Sequence, residues 1–177
     1  MSSRLRRLNG DYQRVLDQLS GNPYVKVRPI KGNPPERYAV TYHVPGLFWN
    51  TARNAVERRD THVIEVGLHA DYPRLKPKCT VITPIFHPNF GKWVCIGDYW
   101  AAGETLVDVL IQIGDMIQYK AYNVKSPLNP VAARWAMENN HLLPVGNIDL
   151  MMPDIDLDIV LLPPGSSESD DLDITLF

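Results

Sequence analysis

Four short runs rich in β-branched and aromatic residues follow one another in the first half of the chain, and they constrain the fold most. Glycine- and proline-containing segments separate them, at residues 25–28, 38–44, 61–68 and 78–83. Parallel neighbours would need long crossover connections, so this succession predicts an antiparallel meander of four strands. The connection at residues 45–60 is longer than a hairpin needs, and we expect Phe48 and Trp49 within it to cover the core.

Three amphipathic segments predict helices around this sheet. Apolar residues recur at spacings of three and four over residues 3–19 and again from Thr105 through Ile117, where Asp108 is placed to complete a capping box. Asn129 and Pro130 are typical of an N-cap and first helical residue, and they predict a short helix through about Asn139. The fold class expected is α+β.

The pattern changes after His141. Prolines and glycines break any helical period in residues 144–177, and residues 147–177 carry eight acids without Lys or Arg. Two apolar runs, 155–162 and 172–177, are predicted to be extended and suited to adding a strand to a sheet edge, the first of them on this chain's own sheet. We therefore predict a domain at residues 1–143 and an acidic extension at 144–177, partly packed, with a flexible distal end.

Composition excludes several classes of protein. A hydrophobic fraction of 45% and a charged fraction of 21% are those of a soluble globular chain. No apolar run approaches the roughly 20 residues that span a bilayer, so we expect a cytoplasmic protein without a membrane partner. Two cysteines without zinc-ligand spacing predict free thiols and no metal site. The small basic excess of residues 1–146 does not favour nucleic-acid binding.

The stretch from Tyr72 to Trp100 carries the chemistry. Pro84 and Pro88 stiffen the backbone around His87-Pro88-Asn89, which we call the HPN turn, and Cys95 follows six residues after Asn89. A side-chain amide can donate to the oxyanion that forms when a thioester is attacked. The arrangement predicts acyl chemistry on the Cys95 sulfur, whereas Cys79, inside a predicted strand, is expected to be structural.

Six ordered landmarks resemble the ubiquitin-conjugating (E2) enzymes over roughly residues 3–140. They are Tyr72-Pro73 with Pro77, the TPIFHPN run at 83–89, Val94-Cys95-Ile96, Trp100, the amphipathic helix, and Ser126-Pro127-Leu128-Asn129. The resemblance implies a UBC-like fold with an N-terminal helix, a four-stranded antiparallel sheet, an active-site loop, a central helix and a short following helix. The non-helical extension departs from the further helices of typical E2 enzymes.

The resemblance also implies roles for individual residues. Cys95 would accept the C-terminal carboxyl of a ubiquitin-like protein from an activating (E1) enzyme and pass it to an amine. Asn89 would be the oxyanion or loop-organising amide, His87 and Pro88 would be architectural, and Trp100 would pack beneath the active-site loop. Ser126 matches the position that orients and deprotonates the incoming lysine. Asp98, three residues after the cysteine where many family members have an acid two residues after it, is a hypothetical further acid.

The partners implied are an E1, a ubiquitin-like modifier, a target protein and an optional ligase (E3), met by a monomer in transient complexes. No cofactor is implied, because the E1 uses the ATP. Arg4, Arg7 and Arg14 lie opposite the apolar stripe of the first helix and are candidates for E1 binding, the alternative being a solvated face.

Two other functions remain open from the residues. The first is a non-catalytic E2 variant that only binds a ubiquitin-like protein. The second is a thiol hydrolase that pairs Cys95 with a histidine, for which His62, His69, His87 and His141 are available. The short HPN-to-cysteine spacing and the acidic extension resemble trimmed bacterial E2-like proteins of antiphage defence systems. In those systems the acyl donor is a dedicated ubiquitin-like protein or the C-terminus of a nucleotidyltransferase.

Overall fold

The computed structural model describes residues 2–97 and 100–151 of the chain. It begins with helix α1, Ser3–Leu19, as predicted. The side chain of Ser2 accepts a hydrogen bond from the Leu5 amide and satisfies one of the free N–H groups of the first turn. Leu8, Val15 and Leu19 turn into the core, so the spacing of three and four residues defines the buried side of the helix.

A four-stranded antiparallel sheet follows, and its order along the chain confirms the predicted meander. Its members, in spatial order, are β1 Val25–Gly32, β2 Pro35–Tyr42, β5 His62–Gly67 and β6 Lys78–Val81. Alternate residues of the two central strands are buried, for example Tyr38 and Val40 on β2 and Ile64 and Val66 on β5. One face of the sheet therefore forms the core, because side chains alternate between the faces of a strand.

The segment predicted as a connection between two strands folds into a separate hairpin. Strand β3, Gly46–Asn50, pairs antiparallel with β4, Ala55–Arg59, as a two-stranded sheet. The expectation that Phe48 and Trp49 cover the core holds only in part. Trp49 remains 40% exposed while its ring contacts Phe86 at 5.9 Å, and the neighbouring Leu47 is the residue that becomes buried.

Two further helices complete the predicted order. Helix α2, Leu106–Ile117, starts at Thr105 with the reciprocal hydrogen bonds of a capping box to Asp108. Its apolar stripe lies on the sheet and supplies eight buried residues. Helix α3, Pro130–Glu138, has Asn129 as N-cap, and a single 3₁₀ turn, Asn140–Leu142, follows it.

Residues 144–151 run back along α2 without regular secondary structure. Leu150 is fully buried, and a Cβ added to Gly114 would lie 2.1 Å from its Cδ1 atom, so the glycine makes room for the leucine. The amide of Gln118 donates to the Ile148 carbonyl at 3.2 Å. The start of the predicted extension thus packs against the main core, whereas the runs at 155–162 and 172–177 lie outside the described residues.

Among the residues that the structure describes, no helix combines the length and apolar character needed to cross a bilayer.

Candidate active site

A cleft of about 420 Å³ opens beside Cys95, between the HPN turn, α2 and the loop that precedes α3. Its walls bring together Cys95, Asn89 and Ser126, which are separated by up to 37 positions in the sequence. The remaining lining residues are Ile96, Gly97, Gln112, Met116, Ala121, Tyr122 and Asn123. Three of the four residues proposed as catalytic therefore meet at one place.

The two cysteines lie in opposite environments. Cys79 on β6 is 2% exposed, and burial raises the pKa of its thiol to about 12, so it stays protonated and inert at neutral pH. Cys95 is a free thiol of intermediate exposure in the wall of the cleft, and its own amide donates to the Asn89 carbonyl at 2.9 Å. Only Cys95 is placed to react with a large acyl donor.

Asn89 connects the HPN turn to the loop before α3. Its side-chain nitrogen donates to the Asn123 carbonyl at 3.0 Å, and its side-chain oxygen accepts from the Asn123 amide at 2.7 Å. Both ends of the amide are thus engaged with one backbone residue, and the side chain is 4% exposed. Of the two roles expected for Asn89, this geometry favours loop organisation, with one N–H of the amide still available to an oxyanion.

His87 is an internal brace of the turn. Its Nδ1 atom accepts from the Asn89 amide at 3.0 Å, and its ring lies 4.8 Å from Phe90 and 4.6 Å from Tyr119. Burial lowers the pKa of His87 to about 3. The backbone of Ala121 acts in the opposite direction, but Nε2 forms no hydrogen bond of ordinary geometry. A ring that is neutral at pH 7 and directed at the backbone fits an architectural role.

The loop from Ala121 to Ser126 supplies the opposite wall. Asn123 accepts from the Lys125 amide through its side chain, which folds the loop into a turn. Ser126 is exposed where this loop faces Cys95, and the Asn129 amide donates to the Pro88 carbonyl at 2.9 Å. Hydrogen bonds from both Asn89 and Pro88 therefore fix the loop against the HPN turn.

Two residues of the cleft were not singled out from the sequence. Gln112, an exposed polar residue of α2, donates to the Ile96 carbonyl at 3.0 Å and so braces the residue after Cys95. Asn123 is the partner of Asn89. An amide outside the apolar stripe of α2 and an asparagine two residues before a lysine-serine pair were the available signals, and neither is specific.

Trp100 and Asp98 complete the proposed set. The Trp100 indole donates to the Pro73 carbonyl at 2.7 Å, and its ring lies 6.0 Å from that of Tyr72, so it packs behind the cleft instead of lining it. Asp98 lies outside the described residues, and its role stays a prediction.

The arginines of α1 differ from the solvated face that the sequence suggests. Arg4 pairs with Glu36 at 2.7 Å and donates to the Leu68 and His69 carbonyls. Arg7, with a side chain only 16% exposed, binds Asp11 at 2.7 Å and the carbonyls of Ala102 and Glu104. Periodicity shows only that these arginines lie off the apolar stripe, whereas the fold brings Ala102 and Glu104 against Arg7.

Asp11 is the reason that Arg7 is held inside. It is fully buried, accepts from the Tyr72 hydroxyl at 2.6 Å and lies 3.7 Å from Arg14, which is 48% exposed. Burial alone would lower the pKa of Arg7, but its hydrogen bonds and its attraction to Asp11 raise the pKa above the ordinary value. Arg14 is the most exposed of the three proposed E1-binding arginines, and that role stays a prediction.

No histidine is among the described residues that line the cleft. His62 and His69 bond to the carbonyls of Arg59 and Lys76, and His43 contacts the Thr61 hydroxyl at 3.4 Å. His87 is directed at Asn89, and His141 is exposed in the 3₁₀ turn. A thiol hydrolase needs a base within hydrogen-bond reach of its sulfur, and this arrangement provides none. Within residues 2–97 and 100–151, no three His, Cys, Asp or Glu side chains cluster as metal ligands would.

Comparison with known proteins agrees with this geometry. The family model for ubiquitin-conjugating enzymes matches residues 58–143, which include the HPN turn, Cys95 and the loop of Ser126. Ubiquitin-conjugating enzyme E2 N of Macaca fascicularis is 29% identical over 136 residues, which are 73% of this chain and 82% of that protein. Over these residues the chain is similar to the ubiquitin-conjugating enzyme (E2) family.

Solved structures show the same UBC fold as this chain. A ubiquitin-conjugating enzyme from Trypanosoma cruzi matches with a TM-score of 0.57 and 17% identity, over 79% of this chain and 92% of that one. The E2 domain of an enzyme from Toxoplasma gondii matches with a TM-score of 0.55 and 19% identity, over 77% and 90%. The recognition of the family and the fold class predicted from the sequence are therefore confirmed.

Proposed function

We propose that this E2 carries the C-terminus of a ubiquitin-like protein as a thioester on Cys95 and transfers it to a lysine of a target. The observation that supports the proposal most directly is the contrast between the two thiols. Cys79 is sealed in the core, whereas Cys95 opens into a cleft whose walls come from the HPN turn and the Ser126 loop. The similarity to ubiquitin-conjugating enzymes supports ubiquitin-like conjugation as the general activity.

In the charging step the Cys95 thiolate attacks the carbonyl carbon of the E1 thioester. A new carbon–sulfur bond forms, the bond to the E1 sulfur breaks, and the E1 thiolate leaves. In the discharge step a neutral lysine amine attacks the same carbonyl, an amide bond forms as the nitrogen releases one proton to water, and Cys95 departs as thiolate. The acyl group arrives activated, so neither step requires a cofactor on this chain.

The residues around Cys95 act on the second step in this proposal. Asn89 holds the Ser126 loop at the cleft and keeps one amide N–H available for the oxyanion. Ser126 orients the incoming lysine, whose unperturbed pKa of about 10.4 makes proton removal part of the barrier. The E1, the modifier, the target and an optional E3 are the partners proposed.

A charging assay tests the proposal. The full-length chain is incubated with ubiquitin, a ubiquitin-activating E1 and ATP, and adducts are separated with and without a thiol reductant. The wild type and Cys79→Ala should form a reductant-sensitive adduct, Cys95→Ser a reductant-resistant oxyester, and Cys95→Ala none.

Because the natural modifier need not be ubiquitin, adducts on the wild-type chain are also trapped from cells and mapped by mass spectrometry. A ubiquitin-like C-terminus on Cys95 would support the proposal. Charging absent in both experiments, with the chain still binding a ubiquitin-like protein, would assign it to the non-catalytic variants. The proposed role in bacterial defence stays a prediction, which a phage-challenge assay of wild type against Cys95→Ala would check.

A further inference from the structure

Strand β1 is the outermost member of its sheet, and its outer edge has no strand partner among the described residues. The His43 amide donates to the Tyr24 carbonyl at 2.8 Å, which fixes the alternation of the antiparallel pair. From this alternation, Lys26 and Arg28 direct their backbone groups at β2, and Val25 and Val27 direct theirs outward. The Val25 amide indeed bonds to a residue outside β2, the side chain of Asn22.

The two faces of this edge differ in chemistry. On one face, a groove of about 230 Å³ separates β1 from the end of α1, and apolar residues dominate its lining, among them Val15, Leu19 and Val27. Leu16 also lines the groove and remains 41% exposed although it belongs to the apolar stripe of α1. The other face carries the exposed cationic residues Lys26 and Arg28, of which Lys26 also contributes to the lining of the groove.

The described chain ends beside the beginning of this edge. The side-chain amide of Asn22 donates to the Leu150 carbonyl at 2.7 Å, while its oxygen accepts from the Tyr24 and Val25 amides. One buried side chain thus ties the end of the described chain to the first residue of β1. Three extended residues after Met151 span about 10 Å, enough to bring residue 154 alongside the strand.

We propose that residues 154–160 of this chain, which we call the tail strand, bind the free edge of β1 as a fifth strand parallel to it. The tail strand reads Asp-Ile-Asp-Leu-Asp-Ile-Val, with acids and apolar residues alternating up to Ile159. Successive side chains of a strand point to opposite faces. Its isoleucines and leucine therefore cover the apolar groove, and its aspartates lie on the face of Lys26 and Arg28.

The direction of the strand follows from where it starts. The tail strand enters beside Val25 and runs toward Gly32, so it is parallel to β1. Residues 144–151, which run along α2 to Leu150, already bring the chain to this end of β1. The outward carbonyls of Val25 and Val27 and the outward amide of Val27 supply its backbone partners. Pro29 is the next residue whose backbone faces outward, and because proline has no N–H it leaves no unpaired donor on this edge. The tail strand closes an edge that would otherwise be open to pairing with another chain.

Amide hydrogen exchange in the full-length protein tests the proposal. The exchange rate of the Val27 amide is measured by NMR in the wild type and in a charge-reversed variant, Asp156→Lys with Asp158→Lys. The matched control, Asp170→Lys with Asp171→Lys, makes the same change in charge outside the tail strand. The Val40 amide, between β1 and β5 on the central strand, reports that each variant is folded.

The wild type and the control should protect Val27, and the charge-reversed variant should exchange it at least tenfold faster. Adding Lys26→Asp and Arg28→Asp to that variant should restore the protection, because the pairs of opposite charge are rebuilt with reversed signs. Asp158→Pro, which removes a backbone donor on the side of the tail strand that faces β1, should abolish it. Equal Val27 rates in the wild type, the charge-reversed variant and Asp158→Pro would overturn the proposal. Protection that rises with protein concentration would overturn it too, by assigning the edge to a second copy of the chain.

Discussion

Protonation of His87 should destabilise this protein in mildly acidic solution. The ring is buried among Phe90 and Tyr119, and its Nδ1 atom accepts the Asn89 amide, so a proton on that atom would face another N–H group. Burial lowers the pKa of His87 to about 3, whereas an unfolded chain gives histidine a pKa near 6.5. The unfolded state therefore binds the proton first.

The sign and size follow from this difference in pKa. The stability that the neutral ring contributes is complete above about pH 6.5, is lost progressively as the pH falls below that value, and stops falling near pH 3. Between pH 7 and pH 5, protonation of this histidine lowers the free energy of the unfolded state, while the folded state stays unprotonated. The free energy of unfolding therefore falls by about 2 kcal/mol. His62, whose pKa burial also lowers, adds to the fall in the wild type.

Urea unfolding at pH 7 and pH 5 measures the effect. His87→Gln keeps an acceptor for the Asn89 amide but does not titrate, so its loss of stability between the two pH values should be about 2 kcal/mol smaller than that of the wild type. Comparing losses instead of absolute values removes the packing cost of the substitution. His141→Gln, an exposed control, should behave as the wild type does. Equal losses in His87→Gln and the wild type would refute the reasoning.

Three further substitutions test other parts of the molecule. Arg7→Ala leaves the buried Asp11 carboxylate short of a partner and should lower the free energy of unfolding in urea by about 3 kcal/mol. Arg14→Ala should lower it by less than about 1 kcal/mol. Equal losses in the two variants would contradict the buried ion pair. Gly114→Ala should cost about 2 kcal/mol, and combining it with Leu150→Ala should cost less than the sum of the two, unless the chain end packs elsewhere. Asn89→Ala should leave charging of the Cys95 thiol near normal and slow its discharge to free lysine roughly tenfold. That factor corresponds to about 1.4 kcal/mol in the activation free energy of discharge. Equal slowing of both steps would contradict a role confined to discharge.

The helices and the meander could be predicted because their signals are local. The capping residues Ser2, Thr105 and Asn129 act within three positions of themselves, and the alternation of β2 and β5 is visible within each strand. The β3–β4 hairpin was missed because its second strand, Ala-Val-Glu-Arg-Arg, carries three charges and hardly alternates. Pairing with β3 satisfies its backbone groups, and the Arg59 guanidinium lies 4.0 Å from the Phe48 ring, which compensates for the weak pattern.

The partly exposed thiol of Cys95 could be distinguished from the buried thiol of Cys79 for a similar reason. Cys79 belongs to a strand whose neighbours alternate, so a buried position follows from the period of two. Cys95 follows a proline-stiffened turn and a glycine, outside any periodic element, and sequence alone places it at the surface of a loop. Periodicity cannot say which polar groups come to face it, so Gln112 and Asn123 became visible only with the fold.

Polar residues on a helix present the harder problem. Arg7 and Arg14 are both off the apolar stripe of α1, and their composition and spacing do not separate them. The difference comes from a residue 65 positions away, Tyr72, whose hydroxyl closes a buried network with Asp11. Desolvated charges are tolerated only when each has a partner, so a buried aspartate makes one arginine part of the core and leaves the other for solvent or for a partner protein. An E1 that recognises α1 would consequently meet Arg14 and not Arg7, and loss of charging in Arg7→Ala would reflect the residues behind Cys95 and not the docking surface.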